Sequence, residues 1–269
     1  MKKMSVFLAL LALFFCDLAL AAASAVATAV TPPVQAQSGS APPRVLRQGD
    51  EVHQGDTIIT GQGGSIVLKF DDGSVAALTQ NSRMAITSYD YNPATESGNS
   101  LLSLVTGGMR VITGLIGKRT PDRVAYRAAT ATIGIRGSDG NGATSGGHVI
   151  WSSNTGVFTF SQNNQTFTLS PGEAIHTLPN GTFNRGTTAQ VLRSAASTPA
   201  GQAVTNTFNG LNSPTLNNGV NNANPGTPRQ GGDTGQPGQP GQPSNPPPNT
   251  PGTTGGPQGG GGGGGQPSQ

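Results

Sequence analysis

Three histidines, His53, His148 and His176, carry what transition-metal or near-neutral proton chemistry the chain offers. No two stand four residues apart, the spacing that puts two ring nitrogens on one helix face. His148 and His176 fall in strand-like stretches, where half-buried or surface positions are the expectation. Cys16 is the only cysteine and sits in an apolar N-terminal run. Its removal with that run leaves no thiol, which excludes a disulfide framework, a thiolate metal site and a cysteine nucleophile. Neither a Gly-x-Ser-x-Gly elbow nor a Walker loop is present. Gly61-Gln62-Gly63-Gly64 precedes a strand and reads as a turn, not a phosphate cradle at a helix start. Asp139-Gly140-Asn141-Gly142 opens like a calcium loop but lacks the third oxygen ligand and the distant Glu. Asp71 and Asp72 are neighbours, and neighbours on a strand face opposite ways, so a turn role is expected. No catalytic residue, metal or cofactor is assigned, and the chain is not expected to be an enzyme.

Two clusters suit binding instead. Trp151 with Val157, Phe158 and Phe160 could line a sugar platform, with a plain core as the commoner use of such residues. Lys118, Arg119, Arg123 and Arg127, with Arg110 and Arg136, form the densest basic region. It suits an acidic partner or an anionic membrane surface, against the simpler reading of a solvated loop. Overall charge is only +3 from 15 basic and 12 acidic residues, without the concentrated stripe of a nucleic-acid binder. Nucleic acid is not an expected partner.

The segments that must position these residues read as strands. Ser65–Phe70 and Ser74–Leu78 flank the Asp71-Asp72-Gly73 turn, whose Asp-Gly step tolerates positive φ. Arg83–Thr87 follows the Asn81-Ser82 break. Leu101–Val105 and Met109–Ile112 flank Thr106-Gly107-Gly108, a hairpin signal. Val124–Ala128 and Thr130–Ile135 continue the series up to a Gly-rich break. His148–Trp151, Val157–Phe160, Gln165–Leu169 and Ala174–Leu178 come next, with turns expected at 152–156 and 162–164. Short strands at this spacing indicate an all-β sandwich, barrel or solenoid in a single domain over 44–185. A short helix is expected within 186–198.

The two ends differ in kind. Lys2 and Lys3, the apolar run Met4–Phe15 and small residues from Ala19 onward make a secretory leader over 1–27. Ala19-Leu20-Ala21, Ala25-Val26-Ala27 and Val34-Gln35-Ala36 bracket cleavage within 21–36, and 28–43 reads as a linker. Phe15 before Cys16 disfavours a lipoprotein signal. The mature chain is expected in the periplasm or released, and not as an integral membrane protein. From Ala200 onward 31 of 70 positions are Gly or Pro, and 199–269 reads as a disordered tail.

The ordered segments resemble the FecR domain of bacterial envelope proteins. The resemblance rests on Gly55-Asp56-Thr57-Ile58-Ile59-Thr60, on Asp72-Gly73-Ser74, on Asn81-Ser82, and on Gly107-Gly108-Met109-Arg110-Val111. It rests most on Thr130–Ser138, with Gly134, Arg136, Gly137 and Ser138, and ends at Gly172-Glu173. Ser138 stands where the family usually has Thr, and the Gly-rich Asp139–Gly147 replaces an expected strand, so a bulge is anticipated there. The resemblance implies an all-β fold, β-solenoid-like or a β-sandwich, in which these motif residues are structural. It also implies a protein-interaction or signal-sensing module whose partner is another envelope protein. The anti-sigma activity of the family's transmembrane regulators is not carried over, because the segment and span that carry it are not found in this sequence. A surface-associated protein working through its tail, or a glycan-binding module centred on Trp151, are the alternatives. The oligomeric state is not specified by the sequence.

Overall fold

Alternating and β-branched segments build β1 (Ala25–Thr31), β2 (Val34–Ser38), β3 (Arg44–Val45), β4 (Glu51–Val52), β5 (Asp56–Thr60), β6 (Ser65–Phe70), β7 (Val75–Leu78) and β8 (Arg83–Asn92). They continue through β9 (Ser97–Ile112), β10 (Val124–Ala128), β11 (Ala131–Ser145), β12 (His148–Gln162), β13 (Gln165–Leu169), β14 (Glu173–Thr177) and β15 (Phe183–Thr187). The structure, a computed structural model, describes residues 23–224, without the side chains of residues 137 and 138. Cys16, most of the leader and the tail beyond 224 lie outside the described residues.

All these strands join one sheet in the order β15-β14-β12-β11-β10-β9-β7-β6-β1-β4. Strand β13 branches from β12, while β2, β3, β5 and β8 join through β5–β8 and β8–β9. The pairing of β9 with β10 is parallel and the rest are antiparallel. Strand β9 is the hinge of the topology. Its first half lies between β8 and β10, and its second half between β7 and β11. One apolar cluster joins Ala25, Val34, Ile58, Leu68, Leu104, Ile133, Trp151, Phe158 and Phe160 from strands distant in the sheet order. The chain is thus predominantly β, as expected.

Three expected breaks are not breaks. Gly107 and Gly108 lie inside β9, Ser152–Gly156 lies inside β12, and Asp139–Ser145 continues β11 to the turn at Gly146-Gly147. The glycines serve close packing there. A Cβ on Gly142 would sit 2.3 Å from the Trp151 ring, and one on Gly140 would sit 2.5 Å from Phe158. The anticipated bulge is present, since the register of β11 with β12 shifts between Arg136 and Asp139.

The ends of the domain also differ from expectation. The expected linker over 28–43 holds the end of β1 and all of β2, because Ala25, Ala27, Val34 and Ala36 alternate inward and are buried. The expected tail begins with two helices. After α1 (Leu115–Arg119) come α2 (Thr188–Ala195), α3 (Pro199–Gly210) and α4 (Pro214–Ala223). Thr198 and Ser213 accept N–H groups of the first turns of α3 and α4, and Pro follows each cap. Val204, Phe208 and Leu211, then Leu216, Val220 and Ala223, recur at helical spacing. They pack with Val67, Ala77, Ile112, Ala143 and Ile150 in a second cluster.

Candidate interaction surface

The motif residues build three turn locks rather than a reaction centre. Asp72 is the most connected. Its carboxylate accepts from the backbone N–H and hydroxyl of Ser74 at 3.0 and 2.6 Å, closing its own turn over Gly73 (φ +79°). It also accepts from the Tyr89 hydroxyl at 3.3 Å and from the N–H of Ile116 at 3.3 Å. The Asp72 carbonyl accepts the Leu115 N–H, so this one residue holds the start of α1. Burial and the Asp72 charge push the Tyr89 phenol up, keeping it protonated as a donor.

The second lock joins Thr60, Asn81, Ser82 and Gly107. Thr60 Oγ1 donates to the Thr79 carbonyl at 2.6 Å and accepts the Ser82 N–H at 2.8 Å. Asn81 takes a left-handed φ of +55°, and Ser82 Oγ accepts the Gly108 N–H at 3.0 Å. Gly107 (φ +93°) lies so close that a Cβ would be 2.2 Å from Ser82 Oγ. The third lock is the turn before β14. Ser170 N–H donates to Glu173 Oε2 at 2.8 Å, Gly172 has φ +83°, and Arg185 sits 3.5 Å from Glu173. The Ser170 N–H above all, with Arg185, holds the Glu173 carboxyl below its usual range, against the opposing effect of burial. Farther off, Gly55 (φ +90°) leads into the buried Asp56, which accepts from Arg44 at 2.7 Å, from the His53 N–H at 3.1 Å and from Ser38 Oγ. Gly134 lets β11 lie against Thr159, whose Oγ1 would meet a Cβ at 2.6 Å. Gly137 and Ser138 lie within β11.

The Asp72 lock fixes α1, which carries Lys118 of the basic region. Gly117 sits so tightly that a Cβ would meet Thr113 and Ile135 at 2.4 and 2.6 Å, so α1 is pressed onto β11. Beside it opens a depression of 510 Å³ lined by Gly117, Lys118, Pro121, Asp122 and Arg136. The β10–β11 register pairs Ala125 with Gly134. Arg123 ends the one-turn 3₁₀ segment Pro121–Arg123 ahead of β10, Arg127 lies on β10 and Arg136 on β11. Lys118, Arg123, Arg127 and Arg136 are all exposed. Among the described residues none of the four forms an ion pair, whereas Arg119 pairs with Glu96. Arg110 leaves the cluster altogether. It is buried and donates to both oxygens of Asp139 at 3.0 and 2.6 Å and to Asn217 of α4 at 2.8 Å. Asp139, the first residue of the would-be calcium loop, is thereby spent in an ion pair.

Other sequence candidates end elsewhere. Trp151 is fully buried, stacked on Tyr126 at 5.7 Å and edge-on to Phe158, so it offers no face to a sugar. The glycan platform is replaced by core. His148 and His176 do meet, Nδ1 to Nε2 at 3.0 Å on neighbouring strands, and both are buried rather than half-buried. Burial, with His148 beside it, lowers the His176 ring to about 4. Sequence spacing could not show this pair, since only the β12–β14 register brings the two together. Among the described residues no three His, Cys, Asp or Glu side chains gather as a metal site, and no helix is long and apolar enough to cross a membrane.

A second exposed feature is a pair of strand edges. Among the described residues the outer edges of β13 and β15 have no strand partner, although Arg185 donates to the Thr168 carbonyl of β13 at 2.7 Å, and Phe167 and Phe183 meet at 4.4 Å with Phe183 41% exposed.

Comparison with known proteins yields one family. The sequence profile described as FecR protein matches residues 56–158. No curated protein matches. Two crystal structures of a protein from Parabacteroides distasonis, provisionally named an anti-sigma factor, are similar at 17% identity and a TM-score of 0.40. The alignments cover 49% and 52% of this chain against 59% and 63% of those chains, so the chain spans about three fifths of their length. Residues 56–158, which hold the Asp72 and Ser82 locks and the basic face of β10 and β11, are a FecR domain.

Proposed function

We propose that this chain is an exported, non-catalytic FecR-domain module that recognises another protein of the bacterial envelope. Its basic face, Lys118, Arg123, Arg127 and Arg136, receives an acidic segment of that partner. The observation that carries this reading is that Lys118 and Arg136 line one open depression, that Arg123 and Arg127 are exposed as well, and that none of the four forms an ion pair among the described residues. Like charges gathered on one surface repel one another. A bound anionic chain would relieve that repulsion and gain charge-assisted hydrogen bonds from two guanidinium forks. The test is capture of partners from envelope extract on the immobilised domain at low and high salt. Capture that falls steeply between about 0.05 and 0.5 M salt supports the reading, since screening shortens over that range. Salt-independent capture refutes it.

The free edges of β13 and β15 favour a second reading, in which an extended partner segment adds a strand beside Phe167 and Phe183. Such binding is held by backbone hydrogen bonds and apolar contact, and would survive high salt. Phe183→Asp would abolish it and leave electrostatic capture intact.

A further inference from the structure

The three leader triplets ending at residues 21, 27 and 36 are equivalent as sequence, and the fold separates them. Ser24 is buried, and its N–H donates to the Val52 carbonyl at 2.8 Å. Its own carbonyl accepts from Asp71. Ala25 and Ala27 are fully buried, and β1 lies between β6 and β4, so both of its edges are paired. Ala27 also exchanges backbone bonds with Asp50 and Gly49 at 2.9 and 2.8 Å. Cutting after Ala27 would strip Ala25–Ala27 from Val52, Leu68 and Phe70. Cutting after Ala36 would remove β1 entirely and three of the five residues of β2, baring the edges of β6 and β5. Each loss leaves buried backbone donors and acceptors unpaired in the sheet.

We infer that a leader peptidase hydrolyses this chain at or before the Ala23–Ser24 bond, using Ala19-Leu20-Ala21 or the overlapping Ala21-Ala22-Ala23, so that the mature N-terminus is Ala22 or Ser24. Water adds across the cut peptide bond, leaving a carboxylate on the leader and a free amino group on the domain. This rests on the proposed export. Residues 24–31 then belong to the mature domain, and the two later triplets are strand sequence that happens to satisfy the peptidase pattern.

The test is N-terminal sequencing and intact mass of the full chain recovered from the envelope of an expressing bacterium. Ala22 or Ser24 as first residue is the expected result. Thr28 or Gln37 overturns the inference while export stands. Met1 retained on cytosolic protein overturns export, and the processing site with it. Ala21→Phe alters position −1 of Ala19-Leu20-Ala21 and −3 of Ala21-Ala22-Ala23, and precedes the described residues. It should slow leader removal about tenfold or more in a pulse-chase. Unslowed removal giving Thr28 would overturn the inference.

Discussion

The carboxylate of Asp72 accepts the backbone N–H of Ile116 at 3.3 Å, across 44 residues of sequence. That bond ties a tight turn to the helix bearing Lys118 and Arg119, and so links the sequence motif to the basic surface. Asp72→Ala removes an acceptor shared by Ser74, Tyr89 and Ile116. It should cost about 2–4 kcal/mol in urea unfolding, because several buried donors lose their partner together. An unchanged midpoint would contradict the lock.

His176 makes stability depend on pH. Its folded-state value is about 4, against 6.5 for the free ring, so the unfolded chain takes up a proton that the fold rejects. Stability is therefore full above pH 6.5 and falls as pH drops from 6.5 toward 4. The loss at pH 5 should be about 1–2 kcal/mol. His176→Gln should flatten that part of the profile in denaturant titrations at pH 7 and 5, and an unaltered slope would assign it to other groups.

Gly142 faces the Trp151 ring with no room for a methyl group. Gly142→Ala should destabilise the domain by about 1–3 kcal/mol, as overpacking does, and shift the Trp151 emission. A variant as stable as the parent, with unchanged emission, would show that β11 does not run against β12 in this register.

Phe208 of α3 is buried against the outer face of the sheet. Phe208→Ala should cost about 3–5 kcal/mol, the range for a buried aromatic. Limited proteolysis should leave 199–223 uncut while the sheet stays folded. Early cleavage inside α3 or α4 would return that segment to the tail.

What the sequence revealed depended on how local the signal was. The Asp71-Asp72-Gly73 turn, the strands around it and the ordered series of motifs ending at Gly172-Glu173 are short-range patterns, and they were legible. The glycines of β9 and β11 misled because Gly107, Gly140 and Gly142 answer to Ser82, Phe158 and Trp151, residues that only the sheet register brings near. Counting Gly and Pro over the last 70 residues hid the helices, although Thr198-Pro199 and Ser213-Pro214 are recognisable helix starts. Ala25 to Ala27 satisfied a peptidase pattern and a buried strand with the same small side chains. Of the basic region, Lys118, Arg123, Arg127 and Arg136 stayed at the surface. Arg110 did not, and no local feature distinguishes it, since its partner Asp139 lies 29 residues on.

The central claim is that the basic face of β10 and β11 is where the partner sits. A photocrosslinking residue in place of Thr132, exposed on that face, tests it in cells with and without Arg123→Glu and Arg136→Glu. The expected result is one predominant crosslinked envelope protein, lost in the double variant while its melting temperature stays within about 3 °C of the parent, as exposed substitutions allow. The same crosslinked protein at equal yield in both would contradict the account.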